Sequence, residues 1–253
     1  MTKIINVRLI QLINHFLFAV GIAYCFPTGD FSYLILSVIF YYILGILGIN
    51  IGYHRLLSHR SFITYKPVYY LLTILGTITA MGSSLSWVAV HRQHHRHSDT
   101  ELDPHSPHIL GPIKSWLGFW GNIKIDLRNC NDIRKSSFHR YLHKNYILIQ
   151  LLYVSILASI DPLLIIFGYS IPCVLVFHSA GAFDVIAHIH GYRSHNTTDQ
   201  SRNSWIANVI TMGEGWHNNH HRFPIKGTTK DRAYEFDAIY YMATMLGGKM
   251  TVK

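Results

Sequence analysis

The chain has 253 residues, of which 49% are hydrophobic and only 14% charged, well under the ~25% charge of an ordinary soluble domain. Its formal net charge of +9 suits nucleic acid or an anionic membrane surface, and long apolar runs exclude the first. Cys25, Cys130 and Cys173 stand alone, which excludes a disulfide frame and a thiolate metal site.

In chain order, the first apolar run covers residues 9–26 and the second, free of charge, covers 31–52. A third and fourth occupy 146–160 and 162–183, parted only by Asp161-Pro162. Each has about the length needed for a bilayer core ~30 Å thick, with the third the shortest. The Pro27–Asp30 link and the Asp-Pro break read as tight turns, so the spans form two helical hairpins. The N-terminus lacks the pattern of a cleaved signal peptide.

Both hairpin turns lack Lys and Arg. All 22 basic residues lie in the first eight positions, in the 53–146 loop or after Tyr192. The positive-inside rule makes those segments cytoplasmic. Residues 68–86 are apolar enough to cross but rich in Thr, Ser and Gly, and read as a membrane-associated helix that does not span. The expected architecture is a single domain over 1–253, all-α and integral to the membrane. Four spans stand under a cytosolic helical cap formed by 53–145 and 192–253.

That polar cap holds most of the 18 histidines. His91, His94 and His95 have i, i+3, i+4 spacing, as do His217, His220 and His221, so each triplet projects from one helical face. His54 and His59 are five apart, roughly 140° round a regular helix. They converge only if the helix end bends; otherwise they address different metals. A lone histidine is most often structural, but three clusters in one region point to imidazole-held metal, and eight ligands exceed one metal's capacity. His188, near the end of the fourth span, is a ninth candidate. Asp184, one turn earlier, is a ligand, an acceptor holding a water or an imidazole tautomer, or a partner of Arg193 or Arg202. His15, His97, His105, His108, His139, His143, His178, His190 and His195 are left unassigned.

With these residues in view, the chain closely resembles the membrane-bound fatty acyl desaturases of the stearoyl-CoA/delta-9 group and their bacterial and plant acyl-lipid relatives. The text that carries this is GYHRLLSHRSF, HRQHHRHSDTELDPHSP, HGYRSH and SRNSWIANVITMGEGWHNNHHRFP. The resemblance runs from about Asn50 to the end. It implies a di-iron enzyme using O2, with His54, His59, His91, His94, His95, His188, His217, His220 and His221 on the irons. Trp87 matches a tryptophan bordering the kinked acyl tunnel. Asp184 stands where the family usually has an Asn that holds a metal-bound water. Ala89 and Val90 replace an Arg-Asp pair that holds coenzyme A in the animal enzymes, and Met81 replaces a tunnel Gln.

The implied reaction inserts a cis double bond, at delta-9, into an acyl chain carried on CoA, a lipid or acyl carrier protein. The sequence has no haem, iron–sulfur or flavin motif, so electrons come from an external ferredoxin or cytochrome b5. The basic residues Lys114, Lys124, Arg128, Arg134, Lys135 and Arg140 suit such an acidic donor and suit anionic lipid equally. The competing readings are a hydroxylase or alkane monooxygenase on the same boxes and, outside enzymes, a membrane metal transporter or store.

Overall fold

The computed structural model describes residues 2–118 and 123–251 and is mostly helical. Helix α1 (Thr2–Thr28) turns through residues 29–31 into α2 (Ser32–Ser58), and both are apolar over lengths sufficient to cross a membrane. Helix α3 (Lys66–Ile78) and α4 (Ser84–His97) follow, then two short helices, α5 (Pro107–Leu110) and α6 (Pro112–Trp116). After α7 (Asn131–Arg134) and α8 (Ser137–Lys144) come α9 (Tyr146–Ile160) and α10 (Ile165–Ile189). The C-terminal part carries α11 (Trp205–Thr211), α12 (His217–Arg222) and α13 (Ala238–Met245).

The two hairpin turns meet. Tyr33 donates its hydroxyl proton to Asp161 at 2.6 Å, and Ser37 donates to the Phe167 carbonyl at 2.7 Å. These bonds clamp the start of α2 to the start of α10. The outer faces of α1, α2 and α9 leave Leu12, Phe16, Ile35, Leu151, Leu152 and Ile156 exposed, as helices that contact lipid would.

Two helices outrun the apolar segments expected from sequence. Helix α2 continues past residue 52 to Ser58, and α10 runs past 183 to Ile189. From Tyr42 onward α2 is wound in π register, with i→i+5 bonds such as the His59 amide to the His54 carbonyl, 3.1 Å. Residues 68–86 are not one helix. They comprise most of α3, a break where Ala80 and Gly82 take positive φ, and the first residues of α4. Helix α3 is about 20 Å long by its 1.5 Å rise, too short to cross, and lies against α2. The contact is backbone to backbone: a Cβ at Gly48 would sit 2.6 Å from the Gly76 nitrogen.

The main core, including Ile46, Tyr53, Leu72, Val88 and Ile239, fills the space between α2, α3, α4 and α13. A two-stranded antiparallel ladder, β1 (Phe62–Ile63) with β2 (Lys249–Met250), ties the C-terminal end back to the exit of α2. The upper end of α2 is therefore fixed from several sides, and the candidate site forms there.

Candidate metal centre

Four segments supply the imidazoles. Helix α2 carries His54 in its last turns and is capped by His59; α4 carries His91, His94 and His95; α10 ends near His188; and α12 carries His217, His220 and His221. Among the described residues they gather into two neighbouring groups able to hold metal. One comprises His54, His59, His91, His95 and His220; the other comprises His94, His188, His217 and His221. Within each group the candidate ligand atoms lie inside 4.8 Å of one another.

The grouping differs from the simplest sequence expectation in two ways. Each triplet is shared: its i, i+4 pair enters one group and its i+3 member enters the other. Helices α4 and α12 thus form common walls. The second difference concerns His54 and His59. On a regular helix they diverge, but π winding brings residues five apart onto one face, and their rings stand 4.7 Å apart. Both belong to the five-histidine group, so of the two alternatives open from sequence the helix winding favours convergence.

Carboxylates orient the imidazoles. His94 Nδ1 donates to Asp103, His188 Nδ1 to Asp99 and His221 Nδ1 to Asp199, each at 2.9 Å. His54 Nδ1 lies 3.1 Å from Glu214 Oε1, outside hydrogen-bond alignment. Glu214 is itself held by the wholly buried Arg55, whose Nε donates to it at 2.8 Å and whose Nη1 donates to Asp237 at 3.2 Å. Burial alone would raise the Glu214 carboxyl, but Arg55 and His54 bring it down to about 2. Asp99, Asp103 and Asp199 resist the same burial through their histidine contacts and stay below the usual carboxylate range.

The imidazoles move the other way. Burial first, then the neighbouring rings, push His59, His91, His95, His217 and His220 well below 6.5, and His94 falls to about 3. A neutral imidazole that donates through Nδ1 presents an Nε2 lone pair. Those lone pairs converge: His59 and His91 Nε2 are 2.7 Å apart, His54 and His220 3.2 Å, His220 and His95 3.1 Å, His188 and His217 3.1 Å. His221 Nε2 is buried without any partner. Facing lone pairs in a dry site are costly unless a cation lies between them. Nitrogens ~2.1 Å from one metal and at right angles to each other would be about 3 Å apart, so the donor set fits metal.

Around these groups, Arg92 of the second cluster donates to the Leu57 and Ser58 carbonyls at the end of α2, at 2.6 and 2.8 Å. This satisfies open helix-end carbonyls and locks α4 to α2. Asn218 and Asn219, which separate the last histidines, anchor α12 through the His195 carbonyl (3.1 Å) and Glu235 (2.9 Å). Trp87 stacks on His91 at 4.9 Å, while Met81 packs at the core edge, 3.9 Å from Gln11 Nε2.

Asp184 is in neither histidine group. Its carboxylate lies 3.5 Å from His105 Nδ1, not against Arg193 or Arg202. His105, unassigned from sequence, stacks on His94 at 4.3 Å and forms a third potential ligand group with His94 and Asp103. Sequence reasoning missed Asp99, Asp103, Asp199 and Glu214. The available signal was scarcity: there are 13 acidic residues, and three of these four lie within eight positions of a histidine triplet.

A helical protein with apolar helices of membrane-crossing length and buried histidine groups able to hold metal is thus defined. The chain belongs to the fatty acid desaturase family, whose model matches residues 32–244. It is 33% identical over 233 residues to an sn-1 stearoyl-lipid 9-desaturase of Anabaena variabilis, covering 90% of this chain and 86% of the relative. With a protein of that name from Synechocystis sp. it shares 38% over 192 residues, 74% of this chain and 60% of the relative. An acyl-CoA 5-desaturase of Anemone leveillei is 32% identical over 226 residues, 87% and 70% of the two chains. Desaturases are oxidoreductases, and this chain is an enzyme of that class.

Proposed function

We propose that the protein is a single-domain, multi-pass membrane desaturase that inserts a cis double bond at the delta-9 position of a saturated acyl chain. The observation that carries this reading is the pair of buried histidine groups with converging Nε2 atoms. The nine histidines would hold two irons. When bound, the irons supply the dioxygen-dependent oxidising power that no side chain has for removing hydrogen from an unactivated methylene.

The remaining work belongs to the chain. Asp99, Asp103 and Asp199 fix the tautomer and ring plane of their histidines, and Arg55 holds Glu214 beside His54. Trp87 covers His91 and, with Tyr53, screens the five-histidine group from water. Ser83, Trp87 and His91 are spaced i, i+4, i+8 up one face of α4, a rise of about 12 Å. At the foot of that face is a cavity of about 60 Å³ lined by Ser83, Ser86, His143 and Lys144. An extended chain advances ~1.25 Å per C–C bond of ~1.52 Å, so a carboxyl end held at the cavity brings its ninth carbon close to His91. This face of α4 is read as the wall of the acyl path.

The topology is read as four spans, three of them helices of membrane-crossing length. A core of ~30 Å takes about 20 helical residues. Counted from Thr28 it ends at Arg8, from Ser32 at Gly52, and from Ile165 at Asp184, leaving every histidine of the two groups just outside. Helix α9, about 22 Å long, is the fourth crossing and requires local thinning of the bilayer. The N-terminus, the loop after α2 and the C-terminal part then share the cytoplasmic side. There the basic loop meets a ferredoxin or cytochrome b5 type donor. We read the carrier as a membrane lipid, on the names of the Anabaena and Synechocystis relatives and on Ala89 and Val90, which offer no charge to coenzyme A.

Expression in a desaturase-deficient host with a competent donor, followed by mass spectrometry of double-bond position in each lipid class, tests the reading. A new delta-9 alkene in glycerolipid supports it. An alcohol without an alkene would make the protein a hydroxylase, and an unchanged profile despite membrane expression would sink the proposal.

A further inference from the structure

We infer that residues 107–118, within the polar loop between α2 and α9, form an arm that lies inside the cytoplasmic leaflet and contacts lipid tails. This rests on the reading that α1 and α10 cross a bilayer. The arm is α5 and α6. Ile113, Trp116 and Leu117 share one face by i, i+3, i+4 spacing and are exposed, Ile113 by 71%; Ile109 on α5 is exposed as well. The opposite face is committed to the protein, since Ser115 is buried and donates to the His105 carbonyl.

What sets the depth is where this arm touches the bundle. Its last helical turn lies directly on α10: a Cβ at Gly181 would sit 2.2 Å from the Trp116 carbonyl oxygen, so only glycine admits the contact. The Trp116 indole N–H donates to His178 Nδ1 at 3.2 Å. Because His178 accepts there, its proton is on Nε2, which faces His15 Nε2 at 3.0 Å. His15 in turn uses Nδ1–H to donate to the Gln11 carbonyl at 2.6 Å. Every donor in this chain finds an acceptor, with both imidazoles neutral. It fastens the arm to α10 and α1 at one level and leaves no lone pair for a metal.

That level lies within the hydrocarbon. His178 is six residues inside Asp184 and His15 seven inside Arg8, about 9–10 Å below the cytoplasmic face on both helices. Two independent counts agree, and the exposed side chains of the arm, Ile109, Ile113, Trp116 and Leu117, are apolar. Lys114 extends from the same short helix and reaches toward the headgroups, as a lysine near an interface does.

The test is depth-resolved spin labelling of the metal-loaded full chain in proteoliposomes. Nitroxides are placed at I113C, at F16C on the lipid face of α1 and at L127C in the loop; Cys25, Cys130 and Cys173 are buried. Collision with dissolved oxygen is compared with collision with a water-soluble nickel chelate. The expected result ranks position 113 with position 16 and apart from 127. Position 113 ranking with 127, while 16 remains in lipid, overturns the inference and spares the membrane reading. Position 16 in water overturns both. Trp116→Phe removes the indole donor, and the chelate should then reach position 113 more readily; unchanged accessibility would overturn the anchoring role of the His178–His15 chain.

Discussion

The two histidine groups are built differently. In the five-histidine group, the carboxylate in contact with a ring among the described residues is Glu214, beside His54, and it is claimed by Arg55. The four-histidine group has three, Asp99, Asp103 and Asp199, each bonded directly to an Nδ1. Fewer imidazoles are thus compensated by more negative charge one bond away, which raises the basicity of the rings it touches. Two metals held in these groups would differ in charge environment although every direct ligand is the same residue type.

Removing a shared wall breaks the comparison most severely. His220→Ala takes an imidazole that faces His54, His59 and His95, so activity should fall to background while the protein still inserts; metal content and product analysis check this. Glu214→Gln comes next. It leaves Arg55 with one buried carboxylate fewer, a loss of about 3–5 kcal/mol for a broken buried pair, visible as a lower Tm even in metal-depleted protein. Asp199→Asn sharpens the contrast: metal affinity should drop about 10–100-fold in the four-histidine group and little in the other, as resolved by metal titration.

Acid acts within both groups. The folded pKa values of His59, His91, His94, His95, His217, His220 and His221 lie below 6.5, with His94 at about 3, whereas Asp99 holds His188 above it, so at those seven positions the unfolded chain binds more protons over that interval. Stability of the metal-depleted protein should therefore decline as pH falls below 6.5 and continue to decline toward 3, measured by denaturant midpoint against pH. The smallest effect belongs to Asp184→Asn. Its 3.5 Å contact with His105 is partly exposed, and its loss should cost about 0–1 kcal/mol in thermal unfolding.

How much of this was legible in the sequence follows from how local each signal is. The histidine triplets were readable because i, i+3, i+4 spacing survives in any helix. The apolar runs were readable for the same reason, though helix ends were not, since α2 and α10 continue into polar residues. The His54–His59 convergence is hidden because residues five apart diverge at the 3.6 residues per turn of a regular helix. Contacts between distant segments left no local trace: Asp184 with His105, Arg55 with Asp237, Trp116 with His178. The last is the most instructive, because Gly111, Pro112 and Lys114 give the arm the look of a solvated loop.

The π winding of α2 has a consequence for how this protein can change. One end of α2 is fastened by Ser37 to α10, and the other delivers two imidazoles. A substitution on its outer face alters only what touches lipid. At about 4.4 residues per π turn, removing a single residue between those ends would rotate everything above it by about 80°, carrying His54 out of phase with α4 and α12. The helix is tolerant of spelling and intolerant of length, and its register acts as the timing mark by which the upper half of the molecule is assembled.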